Sequence, residues 1–252
     1  MGIPESIPAH LRENLQLHDR HMLYHLQRTI QVCHFAFHSR QLHLAVDALR
    51  VFIYDILGNN YVMFIKPEME LADAAREEVV IQLTGFALDT VTRLIHPFML
   101  FLSEALWQTL DPVGRQDIDR ASILTQKYPV EGDILKIREE DLTGMDVLLE
   151  VIDTLRAKEL NPKRMEANNT WLKVVVTGSP DDARAVKQYE PQIAKLGRMS
   201  KFLMVVPVEE IEVLNRALEK CPNIRVGKSS LVKDESENGL WLLFRRDKAS
   251  GI

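Results

Sequence analysis

Cysteine is scarce: Cys33 and Cys221 are the two in 252 residues, and they lie far apart. That excludes a disulfide framework and fits a reducing, intracellular compartment. No apolar run reaches the roughly 18 residues of a membrane span. The most apolar stretch, Leu94 to Leu102, is interrupted by His96-Pro97. Positive charge is not in excess either. Net charge is −5; residues 1–130 carry 11 Lys/Arg against 15 Asp/Glu, and residues 131–252 carry 20 against 21. Neither half has the composition of a basic nucleic-acid footprint. The N-terminus, MGIPESIPAH, is neither Arg-rich nor followed by an apolar signal core, so it assigns no compartment. It fits the loose M-G-x-x-x-S pattern of myristoylation, but Pro4 lies close behind Gly2 and no polybasic segment accompanies it.

Groupings that carry chemistry are also thin. No serine–histidine–aspartate or cysteine–histidine set stands out. VGKSS (226–230) ends like a phosphate-binding loop, but Pro222 stands where the motif needs its first glycine, so a turn is expected. Asp234, Glu235 and Glu237 lie in a solvated segment with no architecture for acid–base work. Seven of the eight histidines fall in residues 10–43, with His21/His25 and His34/His38 at i, i+4. Each pair offers two ligands on one helix face, but the cysteines complete no zinc motif. The expectation is surface or interface histidines, with no metal and no cofactor.

What is present is helical periodicity. Leu23, Leu26, Ile30, Cys33 and Phe37 form one stripe; Ala45, Ala48, Leu49, Phe52, Ile53 and Ile56 form a second. Gly58-Asn59-Asn60 is expected to loosen or kink the second helix, and Pro67 to close it. Residues 71–95 predict a third helix that buries Val79, Leu83, Phe86, Val91 and Leu94. HPFMLFLSEALWQTL (96–110) predicts a fourth, with a break at His96-Pro97. Its core face is read as Phe98, Phe101, Leu102, Ala105, Leu106 and Thr109, so truncating Phe101 to alanine is expected to cost roughly 3–5 kcal/mol. Four helices with short connections imply a bundle. After a polar stretch from about 111 to 145 the period changes: helices at 145–160, 181–197 (bent or interrupted at Pro191) and 209–220 alternate with strands at 170–176, 201–206, 223–226 and 240–244.

The ordered set of segments resembles a known family. HPFMLFLSEALWQTL resembles the helix that ends the anticodon-binding bundle of class I aminoacyl-tRNA synthetases, most specifically valyl-tRNA synthetases. ALRVFIYDILGNNYVMFIKP (48–67) is similar to a bundle helix of that family through Ala48, Leu49, Phe52, Ile53, Asp55, Leu57, Tyr61, Lys66 and Pro67. VIDTLRAKELNPKR (151–164), YEPQIAKLGRMSKF (189–202) and GLWLLF (239–244) resemble the segments that follow. Asn60 departs from the aromatic residue the family usually places before this tyrosine. Nothing resembles the nucleotide-binding histidine motif or the editing domain, and RMSK (198–201) sits in the wrong segment for the catalytic-loop signature. The long C-terminal coiled coil is absent from the sequence as well.

The resemblance implies a mainly α fold: an antiparallel helical bundle over 1–145, including the loop after it, and a small appended α+β unit over 146–252. It implies a non-catalytic protein that binds RNA (tRNA or rRNA) or acts as a scaffold in translation, within a larger ribonucleoprotein such as an organellar ribosome. Two alternatives are a tRNA-binding fragment or subunit of a working synthetase, and a scaffold that meets only protein subunits. The compartment, mitochondrial or cytoplasmic, stays open, and no membrane is involved. RNA contact is expected where cations, a proline-shaped connection and an aromatic meet: Arg156, Lys158, Lys163 and Arg164 for phosphates, and Trp171 for a base or for packing at the start of its strand.

Overall fold

The computed structural model describes residues 12, 14–70, 74–110, 122–156, 171–177, 180–196, 202–207, 224–226 and 241–247. Its chain divides into two compact units, Met1–Leu142 and Thr143–Ile252.

The first unit is the helical bundle. Helix α1 (Leu17–Ser39) begins with a capping box, in which the Gln16 backbone N–H donates to the Asp19 carboxylate at 2.8 Å. It ends at Arg40, which is left-handed with φ 59°. Its predicted stripe is buried at Leu23, Leu26, Ile30 and Cys33, while Phe37 lies at the margin and stacks on Phe98 with ring centroids 5.8 Å apart. Helix α2 (Leu42–Val51) runs without interruption into a π-helix (Phe52–Tyr61) and then α3 (Val62–Met69). Within the π stretch the buried residues are Phe52, Ile56, Leu57 and Tyr61. Those steps of four, one and four fit a turn wider than the α-helix, and the Val62 N–H bonds back five residues to the Leu57 carbonyl. Gly58 belongs to this geometry, since a Cβ there would lie 3.0 Å from the Ile53 carbonyl oxygen.

Gly58-Asn59-Asn60 loosens the helix as expected, by widening it into the π turn, and one expectation fails. Pro67 does not close the helix; it sits in the last turn, where the lost N–H affects one bond beside an end that frays anyway.

Helix α4 (Ala74–Ile95) buries Val79, Leu83, Phe86, Val91 and Leu94 as its periodicity predicts. These join Met22, Leu26, Ile30, Leu49, Phe52 and Tyr61 in one core, and each fully buried large side chain contributes roughly 1.5–3 kcal/mol. The break at His96-Pro97 is a turn, and helix α5 (Leu100–Leu110) follows. Past residue 121 the unit finishes in three short 3-10 turns, Ile123–Thr125, Glu131–Asp133 and Glu139–Leu142.

The second unit contains helix α6 (Met145–Arg156), strand β1 (Trp171–Thr177), helices α7 (Pro180–Gln188) and α8 (Glu190–Leu196), and strands β2 (Phe202–Pro207), β3 (Ile224–Val226) and β4 (Trp241–Asp247). The strands form one sheet in the order β2-β1-β4-β3. β1 and β2 are parallel, which requires the helical crossover between them, and β4 runs antiparallel to both β1 and β3. Met145, Leu148 and Ile152 of α6, with Val186, Tyr189 and Ile193 of the α7–α8 pair, are buried. The helix break falls at Tyr189, so Pro191 sits in the first turn of α8, where its missing N–H costs nothing. The mainly α fold with a small α+β unit is therefore as expected. The 209–220 helix lies outside the described residues, as do 157–160 at the end of the expected 145–160 helix.

Candidate RNA-contact surface

The most strongly structured polar site is inside the bundle. The Arg76 guanidinium, on α4, lies 2.7 Å from Asp19 of α1 and 2.8 Å from Glu68 of α3. A second N–H donates to the other Glu68 oxygen at 3.1 Å, making that pair bidentate. The Tyr61 hydroxyl donates to Asp19 at 3.1 Å, and His18 Nε2 lies 3.2 Å from Glu68. The His18 ring stacks on Phe64, with centroids 5.5 Å apart. Asp19 thus works twice, closing the N-terminus of α1 and holding Arg76. Burial alone would raise the Glu68 pKa, yet hydrogen bonds and charge from His18 and Arg76 bring it down to about 2. Burial would lower Arg76, but Glu68 and Asp19 hold it above its ordinary value. Burial, then the Asp19 charge, drives the Tyr61 hydroxyl well above 10. The π-helix brings Tyr61 into this network. Sequence reasoning singled out Tyr61 only through its resemblance and missed His18, Asp19, Glu68 and Arg76 altogether. The one available signal was the acidic residue three positions after Gln16 at a helix start.

The expectation of surface or interface histidines fails at His18 and His21, which are buried, while His38 and His43 are exposed. Burial, with the neighbouring His25 and His18, lowers the His21 pKa to about 4. The His21 and His25 rings meet edge to face at 4.4 Å. His34 instead reaches the Pro129 carbonyl oxygen at 2.8 Å. Among the described residues no group of three or more His, Cys, Asp or Glu side chains is arranged to hold a metal ion.

Of the expected RNA-binding residues, Arg156 is the last residue of α6 and Trp171 the first of β1, paired in register with Arg246. Lys158, Lys163 and Arg164 lie outside the described residues. So do 227–230 of VGKSS, all of RMSK, and 232–238.

Helix α5 overturns its predicted face. It buries Ser103 and Trp107, whereas Phe101 is 91% exposed and Leu102, Ala105, Leu106 and Thr109 also face solvent. Phe98 alone of the expected set packs partly against the core. Side-chain hydrogen bonds, near and distant in sequence, explain the rotation. His96 Nδ1 meets the Ser103 hydroxyl at 2.7 Å, and Ser103 donates to the Met99 carbonyl at 2.8 Å. Glu104, on the flank of the buried side, accepts from the Ser122 hydroxyl at 2.9 Å and the Ile123 N–H at 3.1 Å. With Ser103 and Glu104 fixed and the large Trp107 indole inside, the phenylalanine is carried outward. The expected 3–5 kcal/mol cost of truncating Phe101 loses its basis.

The family described as the anticodon-binding domain of tRNA ligase matches residues 19–174, from the start of α1 into β1. The chain belongs to this family. The valine–tRNA ligase of Acinetobacter baylyi is 25% identical to it over 227 residues, 89% of this chain and 23% of the ligase. That of Gloeobacter violaceus is 28% identical over 237 residues, covering 92% and 24% respectively. That of Pseudothermotoga lettingae reaches 32% over 162 residues, 62% of this chain and 17% of the ligase. The chain spans about a quarter of the length of the first two ligases. Within the anticodon-binding family match fall the Arg76 network apart from His18, the π-helix, α5 and the whole 156–171 segment.

Proposed function

We propose that this chain is a non-catalytic RNA-binding element of the translation apparatus, derived from a valyl-tRNA-ligase anticodon-binding region. The observation that carries this reading is the family match across 19–174, which takes in the bundle and the cationic segment after it. In this reading the buried Arg76 network sets the helix angles, and contact with RNA falls to surface groups. Arg156, Lys158, Lys163 and Arg164 neutralise phosphates, and Trp171 stacks on a base or packs in its own unit. The test is a salt titration of tRNA affinity. Wild type should weaken as salt rises, and Lys163→Ala with Arg164→Ala should flatten the slope by about 0.7–0.9 per lost contact. Equal slopes would remove this segment from the interface. Purified protein is expected to show no valine-dependent ATP–pyrophosphate exchange.

A second reading places the protein in a larger ribonucleoprotein such as an organellar ribosome. The uncovered apolar side of α5 and the acidic excess in residues 1–130 favour it, because a free tRNA-binding module profits from neither. The ribosomal assignment itself is analogy with repurposed translation domains. Purifying the native complex through this chain discriminates the readings. Ribosomal RNA selects the ribonucleoprotein, a synthetase body the ligase subunit, and protein alone the scaffold.

A further inference from the structure

The π-helix that buries Tyr61 on one side presents a second, unused face to solvent. Tyr54, Asp55, Gly58 and Asn59 are all exposed on it, and Arg50 is exposed one turn earlier on α2. Tyr54 is 66% exposed, an unusual position for a large ring in a helix that has a core available. The side chains of Arg50, Tyr54, Asp55 and Asn59 make no hydrogen bond or ion pair with any described residue. Gly58 and Asn59 follow Tyr54 by four and five residues, one π turn, so they stand beside it on the same face. Because a Cβ at Gly58 would press on the Ile53 carbonyl, the π geometry itself keeps this spot free of a side chain. The result is an exposed aromatic ring next to bare backbone, flanked by an amide, a carboxylate and a guanidinium.

We propose that this face binds one unpaired nucleobase of RNA. The base stacks on Tyr54 above the opening at Gly58. Asn59 and Asp55 hydrogen-bond its edge, and Arg50 contacts an adjoining phosphate. This rests on the RNA-binding reading above and adds a site on the bundle, away in sequence from residues 156–171. Duplex RNA is the wrong occupant, because it offers mainly phosphates and shape, and the acidic Asp47 and Asp55, both exposed, offset Arg50. A protein partner fits less well than at α5, whose exposed side is apolar and lacks this mix of hydrogen-bonding groups. An unpaired base presents both an open ring face for Tyr54 and free donors and acceptors for Asp55 and Asn59, which a paired base does not.

The experiment compares the full chain with its Tyr54→Ala and Tyr54→Phe variants. The probes are a tRNA anticodon hairpin with its unpaired loop and a blunt duplex of the same stem. Tyr54→Ala should weaken hairpin binding roughly tenfold, the loss expected when one base–aromatic stack is removed. Tyr54→Phe should retain binding, duplex affinity should not change, and melting curves should coincide because the ring is in solvent. Equal hairpin affinity for wild type and Tyr54→Ala removes this site while leaving the RNA-binding reading intact. An equal loss on hairpin and duplex also removes it, since base stacking cannot act on the closed stem. Wild-type protein that binds neither probe overturns the reading and the site together.

Discussion

Around Arg76 the bundle encloses a guanidinium, two carboxylates, an imidazole and a phenol, whereas along α5 it leaves Met99, Leu100, Phe101, Leu102 and Leu106 in water. Hydrophobicity alone would have placed both groups the other way round. What separates them is satisfaction. Every charge at Arg76 meets an opposite charge at hydrogen-bond distance, so burial does not leave an orphan. At α5 the hydrogen bonds of Ser103, on the inner side, and of His96 and Glu104, at its flank, hold the helix, and only Trp107 of its large apolar side chains is buried with them. Polar bonds, not apolar area, set the rotation of that helix.

The largest expected effect tests the first half of this contrast. Arg76→Met keeps the stem but removes the cation, leaving Asp19 and Glu68 buried without their guanidinium partner. A loss of roughly 3–5 kcal/mol in denaturant unfolding is expected, the usual cost of breaking one side of a buried pair. A midpoint equal to wild type would show that water already reaches the carboxylates. The triple replacement of Arg76, Asp19 and Glu68 by apolar residues should recover much of the loss, since then no charge is stranded. The second effect tests the other half. Trp107→Ala removes the largest buried side chain of α5 and should also destabilise by about 3–5 kcal/mol. A small change would mean that the helix can turn and bury its phenylalanine instead.

The same contrast explains what was legible in the sequence. The stripes of α1, α2 and α4 were readable because their apolar spacing alone decides which side goes in. Those of α5 were not, because two apolar arcs compete and the deciding bonds come from Ser122 and Ile123, some twenty residues on. The Arg76 network joins residues 19, 61, 68 and 76 by side chains whose partners no local pattern reveals. The π-helix left a trace in the 4–1–4 spacing of Phe52, Ile56, Leu57 and Tyr61, but Gly58-Asn59-Asn60 by itself reads only as a loosening or a kink. Of the expected RNA-binding segment the sequence offers residue types alone, while Tyr54 stood out only once its exposure was known.

A middle-sized effect concerns acid, and it also belongs to the buried side of the comparison. Glu68 has a folded pKa of about 2 against an ordinary 4.5. The stability it supplies is complete above pH 4.5 and is lost as pH falls from there toward 2. His21 has a folded pKa of about 4 against 6.5. Below 6.5 the unfolded chain takes up a proton that folded His21 refuses, so stability falls between 6.5 and 4. Each limb is on the order of 1–3 kcal/mol. Unfolding free energy should therefore decline in two overlapping steps on acidification. His21→Leu should erase the upper step and Glu68→Gln the lower. A profile flat from pH 6.5 to 3 would show that neither group is held as the buried geometry requires.

The smallest expected effect is the sharpest test of the contrast. Phe101 is almost wholly in solvent, so Phe101→Ala removes few contacts from the folded chain and should move stability by no more than about 0.5 kcal/mol. Helix propensity runs slightly the other way, since alanine is the better helix former, which makes a small gain as acceptable as a small loss. Set beside Trp107→Ala, six residues along the same helix, the two truncations remove rings of comparable size from opposite sides. The difference between their unfolding free energies therefore measures the rotation of α5 directly, free of errors common to both. A difference of several kcal/mol in favour of Phe101→Ala upholds the orientation described. A cost of 3–5 kcal/mol for Phe101→Ala would mean that something covers this ring in solution, and sedimentation of the same sample at rising concentration would show whether that cover is a second copy of the chain.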